Sequence, residues 1–350
     1  MCACCAAIDT GWQPPQRRRM RTIVVGLIGL AVVSVADTAW CVDAHEGAPA
    51  AYRYIVGDAV AADDLDALAP LADKGIALHR ARVVAEDGQL LARFKLARAP
   101  DGPVGFEWQP QVDAPFLRVL PGASEVADLA PVLARHVPAD GRVFAWWDSA
   151  RELHLLSGVP MAFGAHLGLP LFVPAVWQDD ETAIKTIESD FWKPDAGQKH
   201  RERFQRFVDA LLDNEQAGVA QLQQLAGDQP AAFVLHVRDI ILLGQMAPDR
   251  IGVAFRDFPN TGDVHTMVRS VRGWMKAHDY YAYAVIKGSQ HTVRAVALTD
   301  AASGKTLAAR LLPFIGNDRS TVAGTVLVYR TGGFWVYQLG ATPGEDTNAD

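Results

Sequence analysis

Trp146-Trp147-Asp148, with Arg151 and His154 close behind, is the densest grouping of chemically useful side chains in the sequence. Two indoles offer a stacking surface, Asp148 an acid, Arg151 a cation, and His154 an imidazole that titrates near neutral pH. Arg151 and His154 are three apart and share a face if the segment is helical. A plainer reading carries more weight: Asp148 caps the helix, one tryptophan is core, and Arg151 pairs with a carboxylate. A second grouping, Arg256, Asp257, Asp263, His265 and Arg272, flanks the polar turn Phe258-Pro259-Asn260-Thr261-Gly262. A histidine with two aspartates suits a divalent metal, although no His-x-x-x-His pair on a regular element sharpens the match.

Other chemistries lack their motifs. Ser157-Gly158 and Ser303-Gly304 miss the Gly-x-Ser-x-Gly elbow of a nucleophilic serine. Gly304-Lys305-Thr306 lacks the upstream glycine of a phosphate-binding loop. The four cysteines, Cys2, Cys4, Cys5 and Cys41, precede the main body, so no disulfide framework staples it. Without Cys-x-x-Cys-His there is no covalent haem attachment, and no intrinsic cofactor is expected. A chain of 350 residues, half of them hydrophobic, can bury a large core, and a net charge of -7 gives no basic footprint for nucleic acid.

These side chains must be positioned by an α/β (mixed α+β) body. An extended piece at Tyr52 to Val56, a helix from Asp63 to Ala72, and strands Ile76 to Val84 and Leu90 to Leu96 meeting at Asp87-Gly88 come first. The stretch Pro100 to Pro115 reads as a linker or an irregular connection that separates this section from the rest. Beyond it a strand Phe116 to Leu120, a helix opened by Ser124, a strand Val143 to Trp147, a helix Ala150 to Leu156 and a strand Leu171 to Val173 are expected. Helices Glu181 to Trp192, Lys199 to Asn214 and Glu215 to Leu225 follow. Strand Ala232 to Val237, helix Asp239 to Gln245, strand Ile251 to Phe255 and helix Asp263 to His278 resume the alternation. Strands Tyr281 to Ile286, Thr292 to Leu298, Leu307 to Leu312, Thr325 to Tyr329 and Phe334 to Leu339 close the chain, so the expectation is a mixed sheet with flanking helices and antiparallel C-terminal strands. Phe144 to Asp148 and Phe233 to Asp239 echo each other: each is a buried strand delivering an aspartate to a strand-to-helix turn, where ligands gather in open α/β sheets.

Ahead of this body, Arg17, Arg18, Arg19 and Arg21 precede an uncharged apolar run over 22–36. The pattern is that of a signal sequence, and a retained signal anchor is favoured over a cleaved one, with Trp40 at the interface. The expected topology is single-pass in the inner membrane with the body in the periplasm. Met20 stands as a natural translation start. The expected organisation is a leader over 1–42, a small α+β section over 43–115, a main α/β domain over 116–340 and a polar tail over 341–350.

Several phrases together resemble the hydroxylamine oxidation protein HaoB family. They are Trp146-Trp147-Asp148 with Arg151 and Leu156-Ser157-Gly158, His166-Leu167 through Pro174 and Trp177, and Arg256-Asp257-Phe258 with His265. Val271-Arg272, Trp274, Tyr281-Ala282-Tyr283 and Leu311-Leu312-Pro313-Phe314 complete the set. The resemblance implies a membrane-anchored accessory protein that docks or supports a periplasmic multihaem hydroxylamine oxidoreductase, or another periplasmic cytochrome. It supplies no reaction and no catalytic residues. The alternative is a periplasmic enzyme or metal-binding protein using the Trp146 to His154 unit or the Asp257 to His265 loop.

Overall fold

The computed structural model describes residues 52–111, 121–168, 181–193, 196–287 and 292–340. Strands β1 (Tyr52–Ala59), β2 (Leu78–Ala85), β3 (Leu90–Ala99) and β4 (Gly102–Pro110) form an antiparallel meander in chain order. The stretch expected as an irregular connection thus supplies β4. Val104 and Phe106 alternate into the core, and an edge strand tolerates Pro103 and Pro110 because its outer positions need no N–H. Between β1 and β2, two short 3-10 turns (Ala62–Asp64 and Asp66–Leu68) lead into helix α1 (Ala69–Asp73). One continuous helix from Asp63 to Ala72 was expected; Pro70 lacks an N–H and is accommodated only in a first helical turn.

The central sheet is mixed. Its order is β10 (Thr325–Thr331), β11 (Phe334–Leu339), β6 (Ala231–His236), β5 (Arg142–Phe144), with β5 and β6 parallel and the other pairs antiparallel. Every residue of β6 is buried, so both of its faces are covered, which is why it reads as an apolar run up to His236. Val143, Ala232, Val234, Phe334 and Val336 pack on one side against helices α2 (Ala123–His136) and α3 (Trp147–Ser157). Phe144, Phe233, Leu235 and Tyr337 pack on the other against α5 (Gln198–Leu212), α6 (Glu215–Ala226) and α7 (Val237–Met246). Each such fully buried large side chain contributes about 1.5–3 kcal/mol.

A third sheet, order β7 (Val253–Pro259), β9 (Thr292–Leu298), β8 (Ala282–Lys287), is antiparallel. Its inner residues Phe255, Val296 and Leu298 join the central core, while Ala254, Phe258 and Ala295 cover helix α8 (Val264–His278) through Val271 and Trp274. The fold is therefore mixed α+β, built on three sheets. The meander is not isolated either: Leu78, Ala97, Val104 and Phe106 share a core with Val126 and Leu129 of α2 and Leu153 of α3. Its other side is covered by helix α4 (Glu181–Trp192) through Ile184 and Trp192.

Leu307 to Leu312, expected as a strand, is helix α9 (Leu307–Leu311). Thr306 caps it by accepting from the Ala309 N–H, and Leu307, Ala308, Ala309 and Leu311 are all buried. A short apolar run buried nearly all round carries no period, so helix and strand look alike in sequence.

The anchor expectation is also corrected. Among the described residues no helix is long and apolar enough to cross a membrane. The longest, α5 and α8, have 15 residues each and bear charged faces, whereas a span needs about 20 predominantly apolar residues. The run over 22–36 lies outside the described residues, as do the strands expected at Phe116 to Leu120 and Leu171 to Val173. The signal-anchor helix, the single-pass inner-membrane topology and membrane attachment as a means of docking are dropped.

The packing of α5, α6 and α9 gives a direct check. A Cβ at Gly218 of α6 would lie 2.3 Å from the Ala210 carbonyl oxygen of α5 and 2.8 Å from Leu307 Cδ2 of α9. Gly218→Ala should therefore destabilise the protein by about 1–3 kcal/mol through overpacking, despite the better helix propensity of alanine. Urea unfolding of the variant measures this.

Candidate functional site

β5 and β6 lie side by side and parallel, with Phe144 aligned to Phe233. Their carboxyl ends therefore open together, each into the first turn of a helix. Asp148 enters α3 and Asp239 enters α7 there, where the helix dipole favours a negative charge. The sequence echo is thus a spatial one. What joins its two halves is Arg238. This guanidinium, with a side chain only 3% exposed, donates to Asp148 Oδ2 at 2.6 Å and to Ser149 Oγ at 3.2 Å. Its Nε lies 3.6 Å from Asp239 Oδ1.

His236 closes the arrangement as the N-cap of α7. Its Nδ1 accepts from the Arg238 N–H at 3.1 Å, and Asp239 Oδ2 accepts from the His236 N–H at 2.8 Å, a reciprocal capping box. With Nδ1 accepting, the neutral ring carries its proton on Nε2, which faces Glu125 Oε2 of α2 at 3.8 Å. The β10–β11 turn lies across this imidazole. A Cβ at Gly333 would fall 2.1 Å from His236 Nε2, so only glycine fits.

Burial sets the protonation of the cluster. It works against the charge of Arg238, but Asp148 and Asp239 more than offset it and hold the guanidinium above its ordinary value. Burial pushes Glu152 well above the carboxylate range, Asp148 adds to this, and Arg238 opposes it. Asp239 is pushed up to about 7 by burial, against the pull of Arg238. His236 is lowered by burial, with Glu125 opposing, and stays uncharged. The result is one firm ion pair, Arg238 with Asp148, flanked by two acids, Glu152 and Asp239, that burial biases toward their neutral forms. Such a set can hold or relay a proton. Nη2 of Arg238, however, is already taken up by Asp148, while its Nε and Asp239 Oδ1 are buried without a hydrogen-bond partner among the described residues.

The remaining expected site residues serve mainly as supports. Trp146 and Trp147 are both buried: Trp146 meets Phe204 edge-on at 5.3 Å, and Trp147 meets His166 at 4.6 Å. His166 stacks on Trp192 at 4.9 Å, and burial together with the Arg151 charge lowers it to about 3. Arg151 donates to the Pro103 carbonyl at 2.7 Å and the Gly164 carbonyl at 3.2 Å, tying β4 to the segment after α3. His154 Nδ1 lies 2.8 Å from the Val159 carbonyl.

The second grouping does not assemble. Asp257 faces Arg294 across the β7–β9 pair and takes its Nε at 2.6 Å and Nη2 at 2.7 Å. Arg294 is fully buried and lies over Phe255. His265 and Arg272 stand exposed on α8, and no hydrogen bond or ion pair links them to Asp257 among the described residues. Asp263 is the N-cap of α8. Among the described residues no group of three or more His, Cys, Asp or Glu is placed to hold a metal ion.

Sequence reasoning missed Arg238, Glu152, His236 and Glu125 as members of the cluster. The signal for Arg238 was present: a cation beside the acid that ends the second half of the echo. Removing it tests the pairing. Arg238→Met should cost about 3–5 kcal/mol, because Asp148 is left without its partner, and adding Asp148→Asn should recover part of the loss. The pH dependence of Asp239 has a definite sign. Its folded pKa exceeds the ordinary 3.8, so the native state binds the extra proton. Its stabilising contribution is full below about pH 4 and is lost as pH rises through about 7. Asp239→Asn, which stays uncharged, should therefore gain in urea midpoint relative to the parent between about pH 5 and 8.

No curated protein matches the chain. A family model described as "HaoA-associated protein HaoB" matches residues 18–339, which takes in the β5–β6 cluster, all three sheets and the phrases on which the resemblance rested. The chain belongs to the HaoB family.

Proposed function

We propose that the protein is a non-catalytic accessory component of hydroxylamine oxidation that acts by binding a HaoA-type hydroxylamine oxidoreductase. The observation that carries this reading is the family match over 18–339, in a family described by its association with HaoA. The geometry is in keeping with it. The ionisable groups that sequence marked as candidate chemistry mostly face one another or backbone carbonyls, as structural polar groups do: Asp148 with Arg238, Asp257 with Arg294, Arg151 and His154 with carbonyls.

A second reading has one observation behind it. Asp239, whose carboxyl burial pushes up to about 7, stands at the carboxyl ends of two parallel strands, the usual place for a ligand in such sheets. In that reading the protein is an enzyme and the cluster moves a proton.

Titration of the purified protein into a HaoA-type oxidoreductase, followed by sedimentation with haem absorbance, separates the two. The accessory reading expects a complex of defined stoichiometry that Asp239→Asn leaves intact. No haem-bearing complex at micromolar concentrations would overturn it. Oxidoreductase turnover that depends on this protein and is lost in Asp239→Asn with binding retained would favour the enzymatic reading.

A further inference from the structure

The face of the meander that packs on α2 and α3 through Leu78 and Phe106 continues past them as a basic surface, and it treats its basic residues in two ways. Arg80 pairs with Asp64, and Lys95 with Glu107 at 2.8 Å. Arg53, Arg82 and Arg93 form no hydrogen bond or ion pair with any side chain among the described residues, and all three are exposed. Strand register brings them together. Arg82 stands directly opposite Arg93, while Arg53 is opposite Val84, which in turn is opposite Leu90. They rim a cavity of about 300 Å³ whose apolar lining is Ile55, Val84 and Leu90.

Like charges directly opposite on a sheet are destabilising. The fold thus carries a local cost that a single acid on any of the three strands would remove, in a chain whose net charge is -7. Three unpaired guanidiniums over an apolar lining present what a carboxylate-bearing side chain recognises: a fork for the charge and a surface for the methylenes. A free oxoanion would gain nothing from Ile55, Val84 and Leu90, and it would find no buried donor. Three cations in one cluster also make too short a track for a nucleic-acid backbone. The rest of the acidic surface repels an acidic partner, so this face both attracts and orients it.

We infer that the Arg53, Arg82 and Arg93 face of the meander is a docking surface for a carboxylate-rich patch on a protein partner. Identifying that partner as the HaoA-type oxidoreductase rests on the function proposed above; the charge chemistry of the face does not.

Arg82→Glu is the decisive variant, because it turns the cross-strand repulsion with Arg93 into an attraction. It should unfold at a temperature no lower than the parent while its affinity for a hexaglutamate peptide falls by about tenfold or more. Arg272→Glu, an equal charge change on exposed α8, is the control and should bind as the parent does. Calorimetry at low and at near-physiological salt, with hexaglutamate, inorganic phosphate and the oxidoreductase as separate titrants, reads each arm. Hexaglutamate binding that is absent, or unchanged by Arg82→Glu, overturns the inference. So does phosphate binding as tight as the peptide, since that marks a free-anion site. Peptide binding sensitive to Arg82→Glu without any binding of the oxidoreductase upholds the surface and overturns the partner. Binding of the oxidoreductase unaffected by Arg82→Glu upholds the partner and overturns this face as its dock.

Discussion

The ion pair between Arg238 and Asp148 ties together the two places where the central sheet turns into helices. α7 begins directly at the end of β6 and α3 after two residues beyond the end of β5, each with its first N–H groups pointing into a water-poor region. Such ends need acceptors. Asp148 and Asp239 bring negative charge to the first turns of α3 and α7, but two acids side by side would repel. Arg238, held between them and hydrogen-bonded to Asp148 and Ser149, makes the pair tolerable. In so low a dielectric an ion pair gains little net stability. Its effect is to fix alignment, because a slip of β5 against β6 would separate both charges from their partners.

From that fixed point the surrounding layers follow. β6 is buried on both faces, so its neighbours must cover it twice, and α2 with α3 on one side and α5, α6 and α7 on the other do so. The β10–β11 hairpin then has to pass over His236 at the end of β6, which the glycine at 333 allows. β7–β9 repeats the device in smaller form. Arg294 is fully buried on its strand, and Asp257, directly opposite, supplies the charge and both hydrogen-bond acceptors.

How much of this could be read in the sequence depended on whether a residue's role was local or long-range. The β5–α3 and β6–α7 units, the helices from Glu181 to Leu225 and the final hairpin at Gly332-Gly333 all announced themselves by period and turn chemistry. Leu307 to Leu311 did not, because burial on nearly every side erases the period that separates helix from strand. Nor did β4, where prolines usually mark a connection but an edge strand accepts them. At the candidate site the echo located both aspartates, yet not the fact that Arg238 would be consumed by Asp148, since 90 residues separate them. Asp257, His265 and Arg272 looked like a group because they are near in sequence. The strand turned Asp257 toward Arg294, and the helix left the other two in solvent. The membrane anchor was read from a segment outside the described residues, and no described helix takes its place.

The arginines divide by whether the fold itself satisfies them. Arg151, Arg238 and Arg294 are buried and each donates to an acceptor from a distant part of the chain, which is the condition for burying a guanidinium at all. Arg53, Arg82 and Arg93 are under no such requirement, since water solvates them. Their backbone is nonetheless firmly mounted, because the meander shares its core with α2 and α3 on one side and with α4 on the other. A charged face on a rigid sheet loses less freedom on binding than the same charges on a loop. The internal pairs and the open face are therefore complementary: the first hold the sheets in register, and that register is what sets Arg82 opposite Arg93.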